Sequence, residues 1–298
     1  MDLERLRAVA REMPCAYSEE EPLSRHLSLG IGGTPAFYLR PSGWESAERA
    51  LVTLWAIGAR FKVLGGGTNI MAADGPLPFG VVHLARLGGK MRWDGPSVEA
   101  DADVPLPALA GESVRRGLRG LEGMGGVPGT VGGAAIMNAG AFGNDIAAVL
   151  SGVAVLGPGV GLAWHRASDF RMAYRETDLK DHGVVAGCRM NLAEGDAAEI
   201  RARFEEVKSV RAQSQPWRAA TAGSVFKNPP GDAAGRILES LGFKGKALGG
   251  AAFSDLHANF LTNRGDASFE DAFALCEMAR QAAASSGTAL DYEMEIWK

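Results

Sequence analysis

Cysteine is scarce in this chain of 298 residues: Cys15, Cys188 and Cys276 are all it has. They are odd in number, far apart and never arranged as CxxC, which argues against both a disulfide framework and a zinc site. Cys276, inside the apolar pattern FALCEMARQ, reads as plain helix core. The five histidines are scattered without metal-ligand spacing, so no metal is expected. No run of Lys or Arg occurs, and 31 basic residues against 35 acidic ones leave a net charge of −4, which removes nucleic acid as a main partner. No stretch reaches the roughly 18 apolar residues of a membrane helix. The opening MDLERLRAVAREMPC is charged and helical in pattern, unlike the apolar core of a secretion leader. The expectation is a cytoplasmic protein with no membrane partner and no obligate protein partner.

Glycine, by contrast, is abundant, and nine of the 40 glycines fall within GLEGMGGVPGTVGGAAIMNAGAFG, residues 120–143. A glycine inside a regular element costs roughly 0.5–1 kcal/mol against alanine, so such density needs a reason. A limp linker is one candidate, but Pro128 fixes a dihedral and apolar residues flank it closely, so the segment reads as ordered. A second cluster, LGGGTN at 64–69, follows a short apolar strand. Glycine-rich turns after strands expose successive amide N–H groups and make a nest for an anion such as a pyrophosphate. No lysine follows either cluster, which disfavours a P-loop, and none of the five GxG triplets has the third glycine of GxGxxG. Any pyrophosphate is therefore held by another scheme.

Strands and helices alternate along the chain. Ser42 and Glu45 form a capping-box pattern before an amphipathic helix. RFKVLGGGTNI, FGVVHLARL and SVEADADV read as strands, LPALAGESVRRGL as a helix, and SGVAVLGPGVGLAWHR as a hairpin followed by the strand HGVVAGCRMNL. DAAEIRARFEEVKSVRAQSQ is a charged connecting helix. Residues 231–241 and 268–286 read as helices, the second capped by Ser268 and Asp271, and ALDYEMEIW closes the chain as a strand. The alternation indicates a mixed α+β protein.

Three further spots carry chemistry-bearing residues. In TAGSVFKNPPG, Ser224 has no neighbouring His and no GxSxG context, so a hydrolase nucleophile is disfavoured; a positioned proton donor or a plain turn serine remain. Arg175 in FRMAYRETDLKD suits a carboxylate or phosphate clamp, or a surface ion pair. Glu293 is followed on the same strand face by Glu295, a pattern that also suits a solvated face.

Taken together, and in order, PLSRHLSLGIGGTPAFYLRP, VLGGGTN, the glycine-rich segment, YRETDLK, QPWRAATAGSVFKNP, GGAAFSDLHANFLTN and YEMEI resemble the UDP-N-acetylenolpyruvoylglucosamine reductases, the MurB flavoenzymes of peptidoglycan precursor synthesis. The resemblance covers nearly the full length, and the glycine-rich block and AGSVFKNP are highly specific. It implies an α+β architecture: a two-part FAD cradle of the vanillyl-alcohol-oxidase type in residues 1–75 and 76–197, and a C-terminal α/β substrate domain in 198–298. FAD would be noncovalent, with Gly65, Gly66, Gly67, Thr68 and Asn69 at the pyrophosphate. Pro128, Gly129, Thr130, Gly132, Gly133, Asn138 and Gly140 would form the second wall, so that the backbone is bare because the cofactor lies on it.

In that family NADPH reduces the flavin, and the hydride then passes to the enolpyruvyl group of UDP-N-acetylglucosamine enolpyruvate, giving UDP-N-acetylmuramate. By motif match Ser224 would protonate the substrate, Arg175 and Glu293 would stabilise the developing charge, and Tyr174, Arg211, Lys227 and Asn228 would contact substrate. The short distance from YRETDLK to AGSVFKNP resembles the shorter subtype, which lacks an extra substrate-capping loop. Thr68 stands where the family often has Ser, and YRET where it often has YRxS. A flavin oxidase on the same cofactor fold would need a different third domain. A flavin or UDP-sugar binder without turnover would not need Arg175, Ser224 and Glu293 together.

Overall fold

The computed structural model describes residues 3–298. The charged opening helix is present as α1 (Leu3–Arg11); residues 1 and 2 lie outside the described chain. Contacts divide the protein into two compact units, one made of the residues up to Glu19 with Ala36–Gly66 and Phe79–Ser209, the other of Glu20–Pro35, Gly67–Pro78 and Val210–Lys298. The division falls inside the LGGGTN turn.

The first unit holds two main sheets, three two-stranded ones and two apolar cores. The smaller main sheet has the order β1 (Cys15–Ser18), β2 (Tyr38–Pro41), β4 (Gly80–His83), β3 (Phe61–Leu64). Strand β4 runs parallel to both neighbours, with Leu39 opposite Val82 and Leu64 opposite His83. A strand enclosed in this way is apolar in succession, and Val81 and Val82 are fully buried. Gly80 is bare because the Phe37 ring occupies the space of a Cβ. Helix α2 (Trp44–Ala56) covers this sheet with Ala47, Ala50, Leu51 and Leu54.

The larger sheet is antiparallel throughout, in the order β8 (Gly161–Arg166), β7 (Leu150–Gly157), β9 (Val184–Asn191), β6 (Ser97–Asp101), β5 (Met91–Asp94). Its hairpin β7–β8 turns through Gly159 and Gly161, both at positive φ, as the sequence leads one to expect. The inner residues Val98, Ala100, Val153, Val155, Cys188 and Met190 pack with Leu106, Leu109 and Ala110 of α3 (Leu106–Arg115). The short helix α4 (Val131–Ile136), inside the glycine-rich segment, joins the same core.

The second unit has one antiparallel sheet, in the order β10 (Ala220–Ser224), β13 (Phe260–Asn263), β12 (Ala251–Phe253), β11 (Ala247–Leu248). Helices α7 (Ala234–Ser240) and α8 (Phe269–Ser285) lie in its core. Ala272, Leu275, Cys276, Ala279 and Ala283 are the buried stripe of α8, at the three- and four-residue spacing of a helix face. Burial pushes the Cys276 thiol up, and the nearby Glu277 adds to the effect; this cysteine is the core residue the sequence suggests. Leu29, Ile31 and Met71 reach the same core from the two earlier segments of the unit. In sequence, α5 (Leu179–His182) is a single turn, and α6 (Ala197–Ser214) buries only Ile200 and Val207, as its charge foretells.

Two sequence expectations change. The Ser42–Glu45 capping box does not form: α2 starts at Trp44, and Ser46 Oγ instead accepts from the amides of Ser42 and Gly43 at 3.0 and 3.2 Å. Ser46 lies three residues after the cap residue, the reach such a bond requires, whereas Glu45 is one short of it. The closing strand is also shorter than ALDYEMEIW: Glu295–Trp297 pairs in parallel with Ile70–Ala72, and before it only Tyr292 forms a bridge, with Phe226. No helix among the described residues is long and apolar enough to cross a membrane.

The Ser268 cap does form: its Oγ accepts from Asp271 N at 3.0 Å, and Asp271 Oδ2 accepts from Ser268 N at 3.4 Å. Ser268→Ala is expected to lower stability by about 1 kcal/mol in denaturant unfolding, with an unchanged slope; a neutral result would show that the cap contributes nothing.

Candidate functional site

Strand β3 ends in the glycine turn, and the geometry there leaves no room for side chains. A Cβ on Gly66 would lie 2.9 Å from Gly129 Cα, and one on Gly65 would lie 3.0 Å from Thr130 Oγ1. The two glycine-rich segments thus meet backbone to backbone. Thr130 caps α4, its Oγ1 accepting from Gly133 N at 3.3 Å. Pro128 precedes Gly129, whose φ of 110° is closed to most L residues. Among the described residues, the amides of Gly65, Gly66, Thr68, Gly129 and Thr130 donate to no protein acceptor.

Other glycines are bare for reasons of protein packing. Gly132 lies against Ala102, with 2.7 Å from its notional Cβ to the Ala102 Cβ, and Gly140 against Asn144 O and Asp145 Cβ at 2.7 and 2.8 Å. Gly67, at φ 65°, has the His26 carbonyl where a Cβ would stand, and its own oxygen accepts from Ser28 N at 2.9 Å. Asn138 is buried at φ 41°; its Nδ2 donates to Ala173 O and its Oδ1 accepts from Ala147 N, both at 2.9 Å. That side chain braces the segment.

Asn138 also places Arg175. The guanidinium donates to Asn138 O at 3.3 Å and to Gly140 O, and it lies 5.0 Å from the Tyr174 ring centroid. Arg175 sits in the turn between Met172–Ala173 and Glu176–Thr177 at φ 55°, a left-handed conformation that a non-glycine residue seldom adopts outside constrained sites. Buried Thr177 anchors the turn, donating to Ile136 O at 2.7 Å.

In the second unit, Ser224 is presented by a bulge. Thr221 pairs with Thr262 and Ser224 with Phe260, so β10 has one residue too many, and Gly223 takes it up at φ 80°. Bulges of this kind re-aim side chains and recur beside active sites. Beyond it, Val225 O accepts from Glu293 N at 2.9 Å, and Lys227 N donates to Asp291 O at 2.8 Å. Ser224 and Glu293 therefore sit on adjacent antiparallel chains. Asn69 holds the second chain through Nδ2 to Glu293 O at 3.0 Å and through its carbonyl, which accepts from Glu295 N at 2.9 Å. Glu295 is exposed.

Of the remaining residues, Asn228 Oδ1 accepts from Ala234 N at 3.0 Å at the start of α7, Lys227 is half-buried, and Tyr174 is exposed. Arg211, on the last turn of α6, is half-buried, and burial pulls its guanidinium pKa down. It has no acceptor among the described residues, which suits an anionic ligand, since a buried charge is otherwise paired.

Sequence reasoning missed three supports. Asn259, 2 % exposed, accepts from Phe226 N at 3.0 Å and donates to Phe226 O at 2.8 Å, fixing the chain that carries Ser224. Tyr38 and His83 brace Gly65. An amide-bearing side chain within the apolar run HANFL was the one available signal for Asn259.

Gly66→Ala is expected to destabilise by about 1–3 kcal/mol, since the atom it would meet is backbone that cannot step aside. Gly111→Ala, in α3 with nothing within 4 Å, is expected to be neutral or stabilising by up to about 1 kcal/mol. Equal unfolding midpoints for the two variants would contradict the close approach.

Comparison with known proteins agrees with this geometry. Residues 35–160 match the model of an FAD binding domain, and residues 215–297 that of the UDP-N-acetylenolpyruvoylglucosamine reductase C-terminal domain. A reductase of that name from Halalkalibacterium halodurans is 36% identical over 256 residues, 86% of this chain and 85% of the relative. UDP-N-acetylenolpyruvoylglucosamine reductase 2 of Symbiobacterium thermophilum is 35% identical over 296 residues, 99% of this chain and 96% of its own. The crystal structure of the Thermus caldophilus reductase (MurB) superposes with a TM-score of 0.81 at 32% identity, covering 95% of this chain and 99% of that one. The expected α+β fold, with an FAD-binding part and a C-terminal reductase domain, is the fold observed. This chain belongs to the UDP-N-acetylenolpyruvoylglucosamine reductase family.

Proposed function

We propose that the protein reduces the enolpyruvyl group of UDP-N-acetylglucosamine enolpyruvate to the lactyl ether, forming UDP-N-acetylmuramate for peptidoglycan in the cytoplasm, with NADPH as reductant. The observation that supports this is the antiparallel pairing around the Phe226–Tyr292 bridge, in which Glu293 lies opposite Val225, the residue after Ser224. A proton donor and a carboxyl on one pair of chains match the residue types that adding a hydride and a proton across an enol ether double bond beside a carboxylate requires.

The residues fit FAD. The amides of Gly65, Gly66, Gly129 and Thr130, which have no protein acceptor among the described residues, form with the Thr130 hydroxyl a donor set for a pyrophosphate. Pro128, Gly132, Gly133, Asn138 and Gly140 belong to the segment that carries the second pair of donors, and Gly67, Thr68 and Asn69 continue the glycine turn. When bound, FAD supplies the hydride carrier between NADPH and the substrate, attached without a covalent bond. The three apolar cores support a division of labour in which two parts hold FAD and the third, residues 198–298, holds the UDP-sugar, in the manner of the shorter subtype.

The protein's own tasks are placement, charge and a proton. Arg211 faces the substrate diphosphate, with Tyr174, Lys227 and Asn228 as further contacts. As electron density moves to the substrate carboxylate, Arg175, held by the Asn138 and Gly140 carbonyls, opposes the charge that develops. Glu293, in its protonated form, has the same task. Ser224 Oγ–H then protonates the substrate α carbon. The half-buried position of Glu293, against the exposed Glu295, supports it over Glu295 for this role.

Ser224→Ala is expected to leave reduction of the bound flavin by NADPH within about twofold, while flavin reoxidation by enolpyruvyl substrate slows by about 10²–10⁴. Equal loss in both half-reactions would overturn the proton-donor role.

A further inference from the structure

We propose that His83 is a positioning residue for the pyrophosphate site, aiming the Gly66 amide by tying down the carbonyl on the other side of the same peptide bond. His83 ends strand β4, directly opposite Leu64, the last residue before the glycine turn. Its Nε2 lies 3.1 Å from Gly65 O, and its Nδ1 is bonded to Tyr38 OH. A carbonyl oxygen can only accept, so Nε2 carries the proton toward Gly65. In the neutral ring Nδ1 then accepts, and the Tyr38 hydroxyl donates to it. Tyr38 is 3 % exposed and meets the imidazole edge-on, with ring centroids 5.8 Å apart. The three groups form a directed relay, Tyr38 O–H to His83 to Gly65 O, with one possible tautomer.

The consequence lies across the peptide bond. In a planar trans peptide, C=O of one residue and N–H of the next point in opposite directions. Holding the Gly65 carbonyl toward His83 turns the Gly66 N–H away from it. Glycine has no side chain to limit rotation of that peptide plane. On the Gly66 side, Gly129 stands too close to allow a Cβ, so the plane is constrained at both ends. The unused Gly66 amide then points in one direction before any ligand arrives, which removes part of the ordering cost of binding.

This inference rests on the FAD reading above, and the test separates the two. Protein stripped of flavin is titrated with FAD, and quenching of flavin fluorescence gives the affinity. His83→Leu, which removes both bonds, is expected to bind FAD about tenfold more weakly, and Tyr38→Phe about threefold more weakly. His83→Gln, whose amide can donate to Gly65 and accept from Tyr38, is expected to remain within about threefold of wild type. In flavin-free wild-type protein, nitrogen NMR of the histidine ring is expected to show a protonated Nε2 and a bare Nδ1. Wild-type protein that takes up no FAD overturns the cofactor reading and this inference with it. Normal uptake by both His83→Leu and Tyr38→Phe, or a proton on Nδ1 of the neutral ring, overturns this inference alone. So does a Gln variant as weak as the Leu variant.

Discussion

Where Gly66 meets Gly129, two stretches of backbone approach so closely that a single methyl group on Gly66 would displace one of them. That contact fixes much of the first unit's chemistry. It requires a strand that ends abruptly in glycine, a second glycine in a conformation that other residues avoid, and a helix start at Thr130 to carry the second segment. In return the two segments share a row of amides that donate to no protein acceptor among the described residues. Such a row costs free energy in an empty interior and suits an anion.

The second unit solves a different problem, that of holding a small hydroxyl in place. A serine side chain has one rotatable bond to its oxygen, so its accuracy depends on the backbone. The bulge at Gly223 sets that backbone, Asn259 locks Phe226 by two bonds, and the chain through Asp291 and Glu293 lies alongside. Asn69, at the end of the glycine-rich turn, holds that second chain through Nδ2 to Glu293 O. Rigid placement of this sort is what a proton transfer to carbon demands, since small displacements cost orders of magnitude in rate.

Glycine and proline at the turn made the hairpin β7–β8 legible in the sequence; β7 and β9 are buried along nearly their whole length, and alternation shows only in β6. The Ser268 cap was legible because its partner lies three residues away. The Ser42 cap misled because two serines stand four apart and the second one makes the bonds. The glycine-rich segment was legible as a site but not residue by residue: Gly132 and Gly140 are bare against protein atoms, and Asn138 spends both ends of its amide on the chain. Tyr38 and His83 are 45 residues apart and meet only through the parallel register of β2 and β4. Nothing in local sequence encodes that register.

The most direct test of the account is an anaerobic visible spectrum of the FAD-loaded protein through two additions. NADPH is expected to bleach the flavin bands, and enolpyruvyl-UDP-N-acetylglucosamine then to restore them with formation of UDP-N-acetylmuramate. Bleaching that this substrate fails to reverse, or protein that shows no flavin bands even when supplied with FAD, would contradict it.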